Sequence, residues 1–299
     1  MNQTYIEWVK NPDGTQGFSW NPLTGCLNHD NGICRGGGFP CYAYKLANGR
    51  VKSRYLSNSD YIARGTNTFP EDYNLLKAIN DPFYPRLWMN RLYDVPCNGQ
   101  SNRSKGKGIF VCDMSDLFGI GIPVGWTEEI MHRIKCNPQH RFYLLTKQGH
   151  KLSNFSPFPD NCWVGITATT TKMFLNACVQ LSNIKATVRF ISFEPMVEWQ
   201  TPNNDKLTES LNLYRTGKLD WIIIGAQTKP NKFPDIKQVE QLTHVCTKAN
   251  IPVFFKSNIR ELLPLRMPFH SPVNWEQISA GVPIKMSENR LRQEMPNEK

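Results

Sequence analysis

The 299-residue chain is long enough to bury a substantial core without disulfide staples, as one large domain or two small ones. Lys and Arg number 35 against 25 Asp and Glu, and the formal charge of +10 favours nucleic acid, phosphorylated ligands or acidic surfaces, beside the plainer reading of solubility. Nine cysteines, no apolar leader in MNQTYIEWVKNPDG and no apolar run near the roughly 18 residues of a membrane span argue against a disulfide scaffold or membrane protein, and predict a cytoplasmic chain with reduced thiols.

In chain order, GFSWNPLTGC supplies a first strand and opens a loop holding Cys26, Cys34 and Cys41. DPFYPRLWMN supplies a weaker second strand, since its prolines cannot donate to a ladder. The basic, glycine-rich CNGQSNRSKGKG, residues 97–108, reads as a loop. Six apolar runs without strict alternation follow: KGIFVCDMSDLF, HRFYLLTKQ, NCWVGITATT, TVRFISFEP, LDWIIIGAQT and IPVFFKSNI. Such runs suit parallel strands buried on both faces. PVGWTEEIMHRIKCNP and DIKQVEQLTHVCTKAN read as crossover helices between them.

Eight strands predict an α/β fold with a single (β/α)8-type barrel, complete or partly open, over residues 1–285, and a polar tail over 286–299. An open doubly wound sheet is the runner-up, but no glycine-rich phosphate fingerprint follows the first strand. The predicted strands end in polar residues: Asp113, Ser115 and Asp116; Thr146 and Lys147; Thr167; Ser192 and Glu194; Gln227; Lys256. In a parallel barrel these ends share one mouth, so together they read as a site, although any one of them alone reads as a cap or turn residue.

Seven residues separate Cys26 from Cys34 and six separate Cys34 from Cys41, so the thiols converge only if the loop wraps around something. Three readings stand. A four-iron cluster takes thiolates and, with three, keeps one iron open to a small molecule. A structural zinc would add His29 to the three thiols. Unrelated buried thiols are the third. Glycines 36–38 fit a close backbone approach or a plain flexible loop. The other six cysteines read as core or incidental, with Cys112 worth watching beside Asp113.

WNPLTGC, a further cysteine, CYA, VCDMSDLF, YLLTK, WVGIT, ISFEP, WIIIGA and FFKS, in this order over roughly residues 5–258, resemble the phage-associated three-Cys-motif family. That family comprises uncharacterised proteins similar to radical S-adenosylmethionine enzymes. RGGGFP between Cys34 and Cys41 is longer than the two residues common in that family. The resemblance implies a four-iron, four-sulfur cluster on Cys26, Cys34 and Cys41 that binds S-adenosylmethionine and cleaves it reductively to a 5′-deoxyadenosyl radical acting on an unidentified substrate. It further implies an electron-donating reductase or flavodoxin-type partner. On that reading Phe39 or Tyr42 lies near the adenosyl group, and Lys147 or Lys256 pairs with the methionyl carboxylate. Glu194 holds the amine or acts on substrate, and Asp113, Gln227 and Thr167 offer hydrogen bonds.

YKLANGRVKSRY and the loop cations Arg103, Lys105 and Lys107, interleaved with Tyr42, Tyr44 and Tyr55, suit phosphate contact with base stacking, which makes nucleic acid or a nucleotide the leading substrate class. A solvated helix face explains the first stretch equally. The rival reading is a non-enzymatic, zinc-stabilised nucleic-acid-binding protein in which the triplet and His29 are structural.

Overall fold

A computed structural model describes residues 1–59, 61–63, 75–97, 105–200, 219–228, 230–263 and 291–296. These residues form two compact units, one of Met1–Ile166 with Ile184–Thr187, the other of Thr167–Asn183 with Val188–Lys299.

In the first unit, strand β1 (Asn2–Gln3) lies antiparallel to β2 (Phe18–Trp20) at a sheet edge. Two short antiparallel pairs interrupt the main sheet. One pairs β3 (Leu23–Thr24) with β6 (Arg86–Leu87), and the other pairs β4 (His29–Asp30) with β5 (Ile33–Cys34). Between these pairs run the short helices α1 (Tyr42–Ala47), α2 (Lys52–Leu56) and α3 (Leu75–Asn80), and α4 (Met89–Leu92) follows β6. The sheet resumes with β7 (Gly108–Val111), β8 (Arg141–Thr146) and β9 (Cys162–Ala168), in the parallel order β2-β7-β8-β9, and α5 (Val124–Lys135) crosses from β7 to β8. All seven residues of β9 are buried, as its unalternating sequence requires. Aromatic side chains fill the core: Trp8 meets Phe110 at 5.3 Å and Tyr143 meets Trp163 at 5.2 Å, both edge to face.

The second unit holds α6 (Thr171–Ser182), capped by the Thr170 hydroxyl on the Met173 amide. It also holds the parallel strands β10 (Val188–Phe193), β11 (Trp221–Ile224) and β12 (Val253–Phe255). Helix α7 (Ile236–Lys248), capped by Asp235, crosses from β11 to β12 and buries Val239, Leu242, Val245 and Cys246. Part of the polar tail is built in: Phe255 donates to the Arg292 carbonyl at 2.9 Å, Glu294 to the Val253 carbonyl at 3.1 Å, and Leu291 and Arg292 are buried.

The chain is therefore mixed α/β with mostly parallel strands, and all six apolar runs after residue 105 are strands. Ring closure into a barrel is not shown. The predicted second strand needs correction: Arg86 and Leu87 pair antiparallel with β3, outside the parallel sheet. Pro85 lacks an amide to donate, and the Arg86 guanidinium is buried against the carbonyls of Ala78, Ile79, Asp81 and Tyr84. No described helix is long and apolar enough to cross a membrane.

Candidate metal centre

The cysteine loop is built by backbone hydrogen bonds. Gly25, at φ +88°, donates to the Met114 carbonyl at 3.0 Å, and its own carbonyl accepts from the Ser115 hydroxyl; the Cys26 amide then donates to the Phe83 carbonyl at 2.9 Å. The chain next enters the β4–β5 hairpin, whose two-residue turn is Asn31 and Gly32 with φ values of 45° and 86°. This is the Asn-Gly turn whose twist matches that of paired strands. Cys34 closes the hairpin opposite His29. The glycine-rich segment folds back on it, as Gly38 donates to the Cys34 carbonyl at 2.7 Å and Cys34 to the Phe39 carbonyl at 2.9 Å. Cys41 donates to the Gly32 carbonyl at 2.8 Å and sits at the N-cap of α1 without spending its side chain as a cap.

These turns gather Cys26, Cys34 and Cys41 in one loop, where Cys34 and Cys41 add slightly to the raising of the Cys26 thiol. Burial pushes the Cys26 thiol up to about 12, reinforced by the Asp116 carboxylate. Burial also raises Cys34, opposed by the Lys147 ammonium. A zinc ion with bonds of about 2.3 Å draws its sulfurs to about 3.8 Å apart. Among the described residues, the group of three whose ligand atoms all lie within 4.8 Å is Cys97, His132 and Cys136; the three loop thiols do not all lie within that distance of one another. His29 is turned to other work. Its ring packs on Tyr44 at 4.9 Å and Phe83 at 5.4 Å, its Nδ1 accepts from the Gly32 amide at 3.3 Å, and burial lowers its pKa.

Lys147 lies along this loop. Its stem occupies the space beside Gly36, where an added Cβ would come within 2.9 Å of the Lys147 Cβ, and its ammonium stands 5.6 Å from the centre of the Phe39 ring. Buried Asp116 fixes that placement: Oδ2 accepts from the Lys147 amide at 3.0 Å, while Oδ1 accepts from the Thr146 hydroxyl at 2.6 Å and the Phe118 amide at 3.1 Å.

Asp113 accepts from the Asn21 side-chain amide, and burial raises its carboxyl above the usual carboxylate range. Its carbonyl accepts from the exposed Tyr42 hydroxyl. Cys112, at φ 61°, is buried with its thiol strongly raised, as a core residue. Beside α1 and α2 a cavity of about 450 Å³ is lined by residues including Asn21, Arg50, Arg54, Tyr55, Arg91 and Met114. Arg91 is held there by Trp88 under its guanidinium and by the Asn21 carbonyl at 3.1 Å. Tyr44 and Tyr55 serve the core rather than a stacking face. Lys105 pairs with Asp13, Lys107 lies over Phe18, and Arg103 falls outside the described residues.

The second unit carries the remaining predicted residues. Glu194 and Lys256 form a largely buried ion pair packed over Gly225, whose missing side chain leaves the space: a Cβ there would lie 3.1 Å from the Lys256 Cδ. Gln227 is used locally, exchanging backbone bonds with Lys232 and donating to the Pro230 carbonyl at 3.2 Å. Thr167 is buried, and its hydroxyl has no hydrogen-bond partner among the described residues.

The family described as "Protein of unknown function (DUF5131)" matches residues 3–261. The chain belongs to this family. No curated protein and no solved structure matches. The cysteine loop, the hairpin, and Asp113, Lys147, Glu194 and Lys256 just past their strands all fall inside the matched span.

Sequence reasoning missed this group: Cys97 and Cys136 read as core or incidental, and His132 carried no signal. His132 near the end of α5 and Cys136 at its C-cap lie one turn apart, but the third donor lies 35 residues upstream of His132, at no diagnostic spacing.

Proposed function

We propose that the chain is an iron–sulfur enzyme in which Cys26, Cys34 and Cys41 hold a four-iron, four-sulfur cluster and S-adenosylmethionine is the co-substrate. The supporting observation is that one loop's backbone bonds, the β4–β5 hairpin and the N-cap of α1 carry Cys26, Cys34 and Cys41 in turn, three thiols from three local structures. Three thiolates satisfy three irons and leave the fourth for a small-molecule ligand. When bound, the cluster supplies the electron that cleaves the sulfonium to methionine and a 5′-deoxyadenosyl radical able to abstract hydrogen from a substrate.

The chain's own residues bind and orient. Lys147, fixed through Asp116, offers a cation beside Cys34 for the methionyl carboxylate. Phe39 offers an apolar face, Tyr42 an exposed ring, and Asp113 a carboxyl that burial holds above the usual carboxylate range. Within the second unit taken by itself, the buried Thr167 hydroxyl has no partner among the described residues, and Glu194 pairs with Lys256. Arg50, Arg54 and Arg91 around one cavity favour an anionic substrate of the nucleotide or nucleic-acid class. A flavodoxin-type reductase in the cytoplasm would supply the electron. Zinc held by the triplet with His29 is disfavoured by the hydrogen bond and ring contacts His29 already makes.

The test is anaerobic incubation of cluster-loaded protein with dithionite and S-adenosylmethionine. Formation of 5′-deoxyadenosine, lost in the Cys26→Ala, Cys34→Ala, Cys41→Ala variant, is expected; no product from cluster-loaded wild type would sink the reading.

A further inference from the structure

We infer that Cys97, His132 and Cys136 form a second metal site, selective for a soft, tetrahedral ion of the zinc type, that clamps the end of α5 to the chain segment entering the basic loop. Three observations converge on it. The donor atoms of the three residues already lie within 4.8 Å of one another, a spacing that a zinc ion with bonds of about 2.0–2.3 Å needs only slight contraction to bridge. His132 and Cys136 stand one turn apart on α5, with Nε2 and Sγ 3.6 Å apart, so one helix face presents both.

The third observation is the scaffold that brings Cys97 to them. Arg133 donates to the Leu92 and Val95 carbonyls at 3.2 and 3.3 Å, and the Asn137 amide donates to the Pro96 carbonyl at 2.8 Å. Residues interleaved with the two helix ligands thus grip the backbone immediately before Cys97, and the third thiol is delivered by bonds that do not involve the ligands. Arg133 is steadied in turn by Glu129 at 2.7 Å. Two thiolates and one imidazole match zinc in donor type and tetrahedral geometry, and leave the fourth position to water. This set shares no residue with the Cys26, Cys34, Cys41 loop, so its fate is independent of the iron–sulfur reading.

The test measures zinc in the purified full-length chain, in its Cys97→Ser, Cys136→Ser variant, and in its Cys26→Ser, Cys34→Ser, Cys41→Ser variant. About one zinc per chain is expected in the wild type and the second variant, with loss in the first. Zinc that is absent from wild type grown with added zinc, or that disappears with the loop cysteines instead, would overturn the inference. Because the first variant can fail to fold, thiol alkylation mapped by mass spectrometry on wild type gives a second readout. Zinc protects Cys97 and Cys136, and a chelator restores their labelling; labelling indifferent to zinc, or a Cys97–Cys136 disulfide in the isolated protein, contradicts the site.

Discussion

Replacing Gly25 by Ala tests whether backbone geometry, more than side-chain packing, positions the first cysteine. Gly25 sits at φ +88°, where an L-residue costs about 1–2 kcal/mol. Its added Cβ would also fall against the Tyr84 carbonyl and within 2.6 Å of the Phe83 carbonyl oxygen. That oxygen cannot retreat freely, because it accepts the Cys26 amide. Overpacking against such backbone adds about 1–3 kcal/mol, so Gly25→Ala should cost about 2–5 kcal/mol in all, a large share of a typical domain's stability. Gly38→Ala is the control: φ is +69°, but nothing lies within 4 Å of the new Cβ, so only the backbone strain remains. Urea denaturation of both variants, with iron content measured alongside, reads the result. A large midpoint shift and iron loss for Gly25→Ala, against a small shift for Gly38→Ala, is expected. Equal shifts, or a Gly25→Ala protein with full iron and wild-type stability, would refute the reasoning.

Asp116→Asn should destabilise by about 1–3 kcal/mol, because one oxygen that accepts a hydrogen bond becomes a donor facing another donor; it should also lower retention of the cluster by freeing Lys147, and denaturation with iron analysis reads both. His140 is buried and its Nδ1 accepts from the Lys107 amide; burial lowers its pKa from 6.5 to about 4, so the fold favours the neutral ring. Its contribution is intact above pH 6.5 and is lost as pH falls toward 4, by at most about 3 kcal/mol. A His140→Gln variant should therefore show a flatter stability profile across that window in denaturation at stepped pH, and an unchanged slope would contradict the assignment. For the Glu194–Lys256 pair, Lys256→Met alone should cost more than the Lys256→Met, Glu194→Leu double change, since it strands a carboxylate; a double-mutant cycle with coupling of about 1 kcal/mol or more is expected, and additivity would contradict it.

Strand identity was legible because strands buried on both faces need continuous apolar sequence, and β9 and β10 are buried throughout. The cysteine loop was legible as a feature but not as a shape. Asn31-Gly32 is a local signal of the hairpin, but the flanking strands are only two residues long and give no alternation to set it off. β6 misled because its partner is β3, fixed by the long-range burial of Arg86. Lys147 and Asp113 stood out as polar residues at strand ends, whereas their neighbours Phe39 and Tyr42 entered only through the family resemblance, and neither pairing was legible. Asn21 and Asp116 gained their roles only from contacts across 92 and 30 residues, which no local pattern carries.

The most direct measurement of the central claim is iron, sulfide and zinc analysis of anaerobically purified protein, with its absorption spectrum, compared with the Cys26→Ala, Cys34→Ala, Cys41→Ala variant. The account predicts about four irons and four sulfides per chain with a broad charge-transfer shoulder, all lost in the variant. Colourless wild-type protein, without iron and with zinc that the variant loses, would contradict it.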